Sequence, residues 1–313
     1  MAGEEVKSKE IISPWLQLTN RCNLQCSYCF IKQNSMDMSK ETFNRINKYY
    51  SSLLDNNEVN KIQYRIAGGE PCLVIEKYFS LIEEMIIKYK ERFHIELITN
   101  GSLFNANILN FIKKYNTNFG LCLFLDSINK DSKTNDKSSI SSLVLSNIKK
   151  LQKNKITVSI STVIIENGKQ LSVIGNFVMK EGFYWDVNLN KYYEEYNLRE
   201  IKHNIDLLFK VIKSYDYPIT KIQFNGIDMR KNTGCEAGGK LCAINVDGKR
   251  FNCQTLFSQS KIYRYNKSEC KDCDILDFCG GGCKYNNIEN RKKFFCKIQR
   301  YYFKKGGQYA LSL

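Results

Sequence analysis

Two kinds of residue are nearly missing from this sequence. Histidine occurs only at His94 and His203 among 313 residues, which leaves little for imidazole metal ligands or an imidazole base. Proline occurs three times, and beside the abundant Lys and Asn this reads as the usage of an AT-rich genome. No apolar run is long enough to cross a bilayer. Met1 to Lys9 is charged and polar and lacks the apolar core of a secretory signal. A cytoplasmic protein with no membrane partner is expected. The net charge is +15, from 47 Lys and Arg against 32 Asp and Glu. The lysines are scattered rather than gathered in one stripe, which argues against nucleic acid as a partner. Such a surface suits an acidic peptide, an acidic protein or an acidic electron donor.

Cysteine, by contrast, is plentiful, with thirteen in all. The cytosol keeps thiols reduced, so their clustering points to metal rather than to disulfides. Eight of them lie between 235 and 296, where long helical patterns stop and glycines cluster. That shift in character predicts a first domain over 1–215 and a small cysteine-rich domain over 216–313. A hydrophobic fraction of 43% suffices for both cores.

In the first domain strands and helices alternate. Strands are expected at Trp15 to Thr19, Ile62 to Ala67, Ile95 to Thr99, Leu121 to Leu125, Ile156 to Ile164 and Phe183 to Leu189. A helix over Ser39 to Leu54 carries Phe43, Ile46, Tyr50, Leu53 and Leu54 on one face, with Ser39 as N-cap. Further amphipathic stretches fall at 76–91, 106–115, 139–152, 169–181 and 194–215. Six β-then-α units in series imply an α/β fold with a parallel sheet, too few for a closed eight-stranded barrel.

The stretch Cys22-Asn23-Leu24-Gln25-Cys26-Ser27-Tyr28-Cys29 puts three thiols on one short loop after the first strand. A fully protein-ligated [4Fe–4S] cluster takes four thiolates, so three local ones leave one iron open to a small molecule. A zinc site or three incidental cysteines are the alternatives, although zinc sites usually draw pairs of ligands from C-x₂₋₄-C units. The CxxxCxxC spacing, with Tyr28 before the last Cys, resembles the radical S-adenosylmethionine (SAM) superfamily. The resemblance implies that Cys22, Cys26 and Cys29 hold a [4Fe–4S] cluster whose open iron SAM chelates through its amino and carboxylate groups. It further implies reductive cleavage of SAM to a 5′-deoxyadenosyl radical, and a partial (β/α)6 barrel holding the cofactor at its strand C-termini.

Ala67-Gly68-Gly69-Glu70-Pro71 follows the second strand, where parallel α/β folds place ligand-binding loops. Glycines let backbone approach a ligand, and Glu70 offers an acceptor for an ammonium; an ordinary turn is the alternative. In the superfamily this turn binds the methionyl amino group of SAM. Thr99 and Asn100 end the third strand and Asp126 ends the fourth, both where the family contacts SAM. The fourth strand reads Phe124-Leu125-Asp126-Ser127 where related enzymes have Ser-x-Asp-Gly, so a serine contact is missing. Only Lys130, Lys133 and Lys137 stand where the family often has an Arg for the SAM carboxylate. Ser159 and Ser161 share one strand face and either line the cavity or face outward. Cys72 and Cys122 either pack as small hydrophobes or donate a hydrogen atom to a substrate radical.

In the second domain, Cys235, Cys242, Cys253, Cys270, Cys273, Cys279, Cys283 and Cys296 suffice for two more clusters or for two zinc sites. Asn245 to Arg250 reads as a hairpin with an Asp-Gly turn that is expected to bring Cys242 and Cys253 together. The spacing, with Gly248 five residues before Cys253, matches the SPASM domain of peptide-modifying radical SAM enzymes. The resemblance implies a first auxiliary cluster on Cys235, Cys242, Cys253 and Cys283, and a second on Cys270, Cys273, Cys279 and Cys296. If Cys242 is not a ligand, it is a thiol near the active cavity.

The activity so implied is that of a maturase abstracting a hydrogen atom from a ribosomally made peptide, for a thioether or carbon–carbon crosslink or an epimerisation. A sulfatase-maturase-like oxidase is disfavoured, because those enzymes have Asp where this chain has Gln254. A tRNA or cofactor-biosynthesis radical SAM enzyme is a third class. A non-enzymatic iron–sulfur electron carrier would need no SAM pocket. Expected partners are a peptide with a leader segment, a reductant such as flavodoxin or ferredoxin, and a separate leader-binding protein where the barrel surface does not serve. Three clusters imply about 12 iron per chain, and replacing Cys22, Cys26 and Cys29 with Ala should leave about 8 and abolish SAM cleavage. Zinc in the purified protein, with about 4 iron, would contradict the auxiliary clusters.

Overall fold

A computed structural model of the chain describes residues 10–126, 128, 137–190, 196–225, 227–228, 240–257, 270, 273–279 and 289–310. Cys235, Cys283, Ser127, Lys130 and Lys133 lie outside the described residues.

Among the described residues eleven strands form one sheet. They are β1 (Ile11–Ile12), β2 (Trp15–Gln17), β3 (Lys61–Ala67), β4 (Phe93–Thr99), β5 (Phe119–Phe124), β6 (Thr157–Ile164), β7 (Tyr184–Leu189), β8 (Ile222–Phe224), β9 (Ile227–Asp228), β10 (Ala243–Ile244) and β11 (Arg250–Phe251). The order is β11-β10-β2-β3-β4-β5-β6-β7-β8-β9, with β1 beside β3. From β10 through β8 every pairing is parallel. The intervening helices are α1 (Lys40–Asp55), α2 (Phe79–Tyr89), α3 (Ala106–Lys114), α4 (Lys137–Lys153), α5 (Leu171–Glu181) and α6 (Leu198–Ser214). All six expected strands and the expected helices of the first 215 residues are present, as the parallel βα reading requires.

Local chemistry explains the first unit. The Ser39 hydroxyl accepts the Thr42 N–H at 3.0 Å, capping α1. Phe43, Ile46, Tyr50 and Leu54 then fall on one buried stripe against Leu16, Ile62, Tyr64 and Ile66 of the sheet. Leu53 is only partly buried. The sheet's other, concave face carries a separate small cluster of Ala67, Ile98 and Cys122, with Trp15 and Phe124 packed on it. Eight neighbouring parallel strands therefore point their C-terminal ends, and the loops that follow them, to one side.

The C-terminal part departs from expectation in one respect. Long helices do not stop at 216: after the short α7 (Leu276–Cys279), α8 runs over 22 residues from Glu289 to Ala310. Phe295, Ile298, Tyr302 and Tyr309 are buried hydrophobic positions on it, and Tyr302 stacks on Phe224 at 4.3 Å. The helical period is masked in the sequence by the interleaved Lys297, Arg300, Lys304 and Lys305. Strands from beyond 216 also join both sides of the sheet, β8 on β7 and β10 on β2. Among the described residues no helix is long and apolar enough to cross a membrane.

Candidate active site

The site is built where the loop after β2 meets the turn after β3. The Gly69 N–H donates to the Thr19 carbonyl and the Glu70 N–H to the Arg21 carbonyl, both at 2.8 Å. A Cβ at Gly69 would lie 2.3 Å from the Arg21 oxygen and 3.0 Å from Cys22 Cβ, and one at Gly68 2.7 Å from the Thr19 oxygen. Two successive residues without side chains are therefore a steric requirement of this contact. The far side of the loop is pinned by Asp37, which accepts from Thr19 Oγ1 at 2.6 Å and pairs with Arg21 at 2.7 Å.

Within the loop the Cys29 N–H donates to the Cys26 carbonyl at 3.0 Å, and the Leu24 N–H points at Cys22 Sγ from 3.4 Å. Burial pushes the Cys22 thiol up most strongly, the Leu24 N–H opposes it, and the negative charges of Glu70, Cys26 and Cys29 add to it. The three thiols thus share one electrostatic neighbourhood beside Glu70. Coordination of iron would relieve that mutual repulsion, and a backbone N–H directed at a sulfur is the usual support of a cluster thiolate. The donor set fits a [4Fe–4S] cluster. Among the described residues no three His, Cys, Asp or Glu side chains converge as a single-ion site requires.

Glu70 is fully buried. Its Oε1 accepts the Cys72 N–H at 3.0 Å and the Thr99 hydroxyl at 2.6 Å, and its Oε2 accepts the Asn100 N–H at 2.9 Å. Burial raises its pKa, and these donors pull it back down. An ionised carboxylate has about four acceptor sites, and beyond these three donors only the weakly donating Cys72 thiol reaches it, which leaves it open to a stronger donor. Asn100 also bonds the cysteine loop, donating to Asn23 at 2.9 Å. Asn23 in turn donates to Ser102 at 2.9 Å. Asn23 and Ser102 were not among the expected site residues; their signal is only their adjacency to Cys22 and to Thr99-Asn100-Gly101.

Tyr28 donates to Asp126, tying the cysteine loop to the end of β5, while Asp126 accepts the Val163 N–H at 2.8 Å. Burial, then Asp126, pushes the Tyr28 hydroxyl well above its ordinary pKa. Ser159 and Ser161 are in register with Cys122 and Phe124, which puts both on the concave face. Cys122 lies there too, its thiol pushed up to about 12 by burial first and then by Glu96 and Asp186. Cys72 instead packs in the main core, 3.5 Å from the Thr99 hydroxyl. Its position is that of a small hydrophobe beneath Glu70.

The concave wall holds polar residues that sequence reasoning missed. Arg65 Nε donates to Glu96 at 2.6 Å, and its guanidinium lies 5.5 Å above the Trp15 ring. Asp186 accepts from Asn188 at 2.6 Å, and burial raises its pKa. Among the described residues, the buried Trp15 Nε1 and Gln17 Oε1 find no hydrogen-bond partner. A charged residue alternating with apolar ones, as at Arg65 between Tyr64 and Ile66, was the available signal.

The hairpin after β10 forms, with the Gly248 N–H donating to the Asn245 carbonyl at 2.9 Å and Gly248 at φ +79°. It does not bring Cys242 and Cys253 together. Ala243 opposes Phe251, so side-chain alternation puts Cys242 on the helix-facing side and Cys253, still extended at φ −155° and ψ 149°, on the other. Cys242 is buried, 3.2 Å from the Tyr50 hydroxyl of α1. Cys270 and Cys273 share a turn, the Cys273 N–H donating to the Cys270 carbonyl at 3.1 Å. Cys279 and Cys273 meet neighbours of Cys296 on α8: Gln299 Oε1 accepts from Cys279 at 3.7 Å, and Arg300 donates to Cys273 Sγ at 3.2 Å.

Gly69→Ala should destabilise the fold by more than the about 1–3 kcal/mol of ordinary overpacking, because the clash is with backbone. Gly307→Ala, with nothing within 4 Å, should be neutral or stabilising by up to about 1 kcal/mol. Equal midpoints in denaturant for the two variants would mean that the turn and the loop are not in contact.

Comparison with known proteins accords with this arrangement. Residues 16–173, half of the chain, match the family model of the radical SAM superfamily. The radical SAM cyclopropyl synthase TigE of Paramaledivibacter caminithermalis is 25% identical over 95% of this chain and 73% of its own length. The subtilosin biosynthesis protein AlbA of Bacillus subtilis is 26% identical over 37% of this chain, which spans only 24% of AlbA. Among solved structures, native anSMEcpe with bound AdoMet and the Cp18Cys peptide superposes with a TM-score of 0.71 at 18% identity, covering 97% of this chain and 98% of that one. Streptococcus suis SuiB bound to its precursor peptide SuiA gives 0.63 at 17% identity, covering 88% of this chain and 72% of SuiB. At these identities the superpositions bear on fold alone. The chain belongs to the radical SAM superfamily of enzymes, and with it to the [4Fe–4S] cluster and SAM that the family implies.

Proposed function

We propose that the enzyme is a peptide maturase that uses SAM to generate a radical and removes a hydrogen atom from a ribosomally made peptide. The observation that carries this reading is the Glu70 cradle, a buried carboxylate open to a stronger donor, locked against the three-thiol loop. Cys22, Cys26 and Cys29 would hold the cluster, which when reduced supplies the electron for SAM cleavage. Glu70 binds the methionyl ammonium, and Thr99 and Asn100 act by holding Glu70 in place. Tyr28 and Asp126 close the mouth on the β5 side, with Ser159 and Ser161 lining the wall below.

A peptide substrate is favoured by chemistry within the chain. Trp15 Nε1 and Gln17 Oε1 offer one donor and one acceptor, two residues apart and without a partner among the described residues, a pair that an amide group complements. AlbA is named for bacteriocin biosynthesis and SuiB is described with a precursor peptide, which supports the same class here. A leader segment, an external reductant of the flavodoxin or ferredoxin type and a cytoplasmic location complete the reading. Sulfatase-type maturation is second, disfavoured because Gln254 stands in place of the Asp of that activity.

The cysteines beyond 216 are read as a SPASM domain with two auxiliary clusters. Cys270, Cys273, Cys279 and Cys296 would hold the second. The first would draw on Cys235, Cys253 and Cys283, with Cys242 left as a thiol packed on Tyr50. Anaerobic incubation with SAM and dithionite should yield 5′-deoxyadenosine. Glu70→Gln should keep its iron and bind SAM at least tenfold more weakly, since a charge-assisted hydrogen bond is about twice as strong as a neutral one. Unchanged SAM affinity in Glu70→Gln would reduce the cradle to an ordinary turn.

A further inference from the structure

Arg300 stands where a cluster would be supported from outside its ligand set. It follows Cys296 by one helical turn on α8, so the two share a helix face. Its Nη2 donates to Cys273 Sγ at 3.2 Å, and its Nε lies 3.4 Å from Asp274 Oδ1. The guanidinium is held between two groups of the turn that carries Cys273. Cys273, then Asp274 and Cys296, raise the Arg300 pKa, so both thiols lie within its electrostatic reach. Lys297, Arg300 and Lys304 form an exposed basic stripe on the helix, yet Arg300 is the member of that stripe with a sulfur in hydrogen-bond range.

We infer that Arg300 is a positioning residue that raises the reduction potential of the second auxiliary cluster by donating a hydrogen bond to the Cys273 sulfur. The inference rests on the reading of Cys270, Cys273, Cys279 and Cys296 as that cluster's ligands. Reduction adds one electron from an external one-electron donor and one unit of negative charge. No proton moves, because a guanidinium stays charged. A fixed cation at a ligand sulfur stabilises the more negative state, and hydrogen bonds to cluster sulfurs are an established lever on potential. The exposed Lys304, one turn further along, has the same charge without the contact.

The test is an EPR-monitored potentiometric titration of the full-length, anaerobically reconstituted protein, with iron counted in each sample. In Arg300→Gln, one cluster should become harder to reduce by about tenfold in its equilibrium constant, about 59 mV for one electron. Lys304→Gln should leave every midpoint in place. Arg300→Lys keeps the charge but loses the planar fork, so its shift should have the same sign and a smaller size. That variant decides the matter if Arg300→Gln binds less iron. Wild-type midpoints in a fully loaded Arg300 variant would overturn the inference, as would an equal shift in Lys304→Gln. Full iron in Cys273→Ala would instead remove the cluster reading beneath it.

Discussion

The contact on which the site depends is a backbone-to-backbone approach between two loops. Gly68 and Gly69 come so close to Thr19, Arg21 and Cys22 that a single methyl group at Gly69 would sit 2.3 Å from a carbonyl oxygen. Two N–H···O bonds of 2.8 Å close the same seam. Everything chemical follows from this seam. It sets the thiol loop beside the Glu70 carboxylate, and it does so with main-chain atoms, which have fewer ways to relax than side chains. Because β2 and β3 are adjacent and parallel, with Gln17 paired to Ala67, the two loops leave the sheet at the same level.

A buried carboxylate costs free energy unless it is compensated. At Glu70 the compensation comes from Cys72, Thr99 and Asn100, and hydrogen bonds to charged groups contribute about 1.5–3 kcal/mol each. Burial still dominates, since the pKa remains raised. The arrangement therefore holds a carboxylate that gains by meeting one more donor, above all a cationic one. Asp186 is another carboxylate raised by burial, and Arg65 is already paired with Glu96. The concave wall thus combines fixed charge with Trp15 and Gln17 atoms that find no partner among the described residues.

The strands and helices before 216 were legible because apolar residues there repeat at the periods of strand and helix, and the six strand ranges agree within about two residues. The thiol loop and the glycine turn were legible because their chemistry demands fixed residue types at fixed spacing. Three features were not. The helix α8 hides its apolar face among lysines and arginines. Cys242 follows from a register, Ala243 opposite Phe251, which a turn motif does not specify. Arg65, Glu96 and Asp186 become one polar wall only when the sheet curls, since they lie on three strands. Thr99 and Asn100 also hold Glu70, a contact that their place at the end of a strand does not announce.

Whether the loop of Cys22, Cys26 and Cys29 carries a cluster with one iron left for SAM is decided by EPR spectra of the reduced protein with and without SAM, beside the variant in which those three cysteines are Ala. SAM is expected to alter one signal, that signal to be missing from the variant, and the variant's remaining spectrum to ignore SAM. A spectrum unaffected by SAM in the wild-type protein, or one still affected in the variant, would contradict such a cluster on the loop.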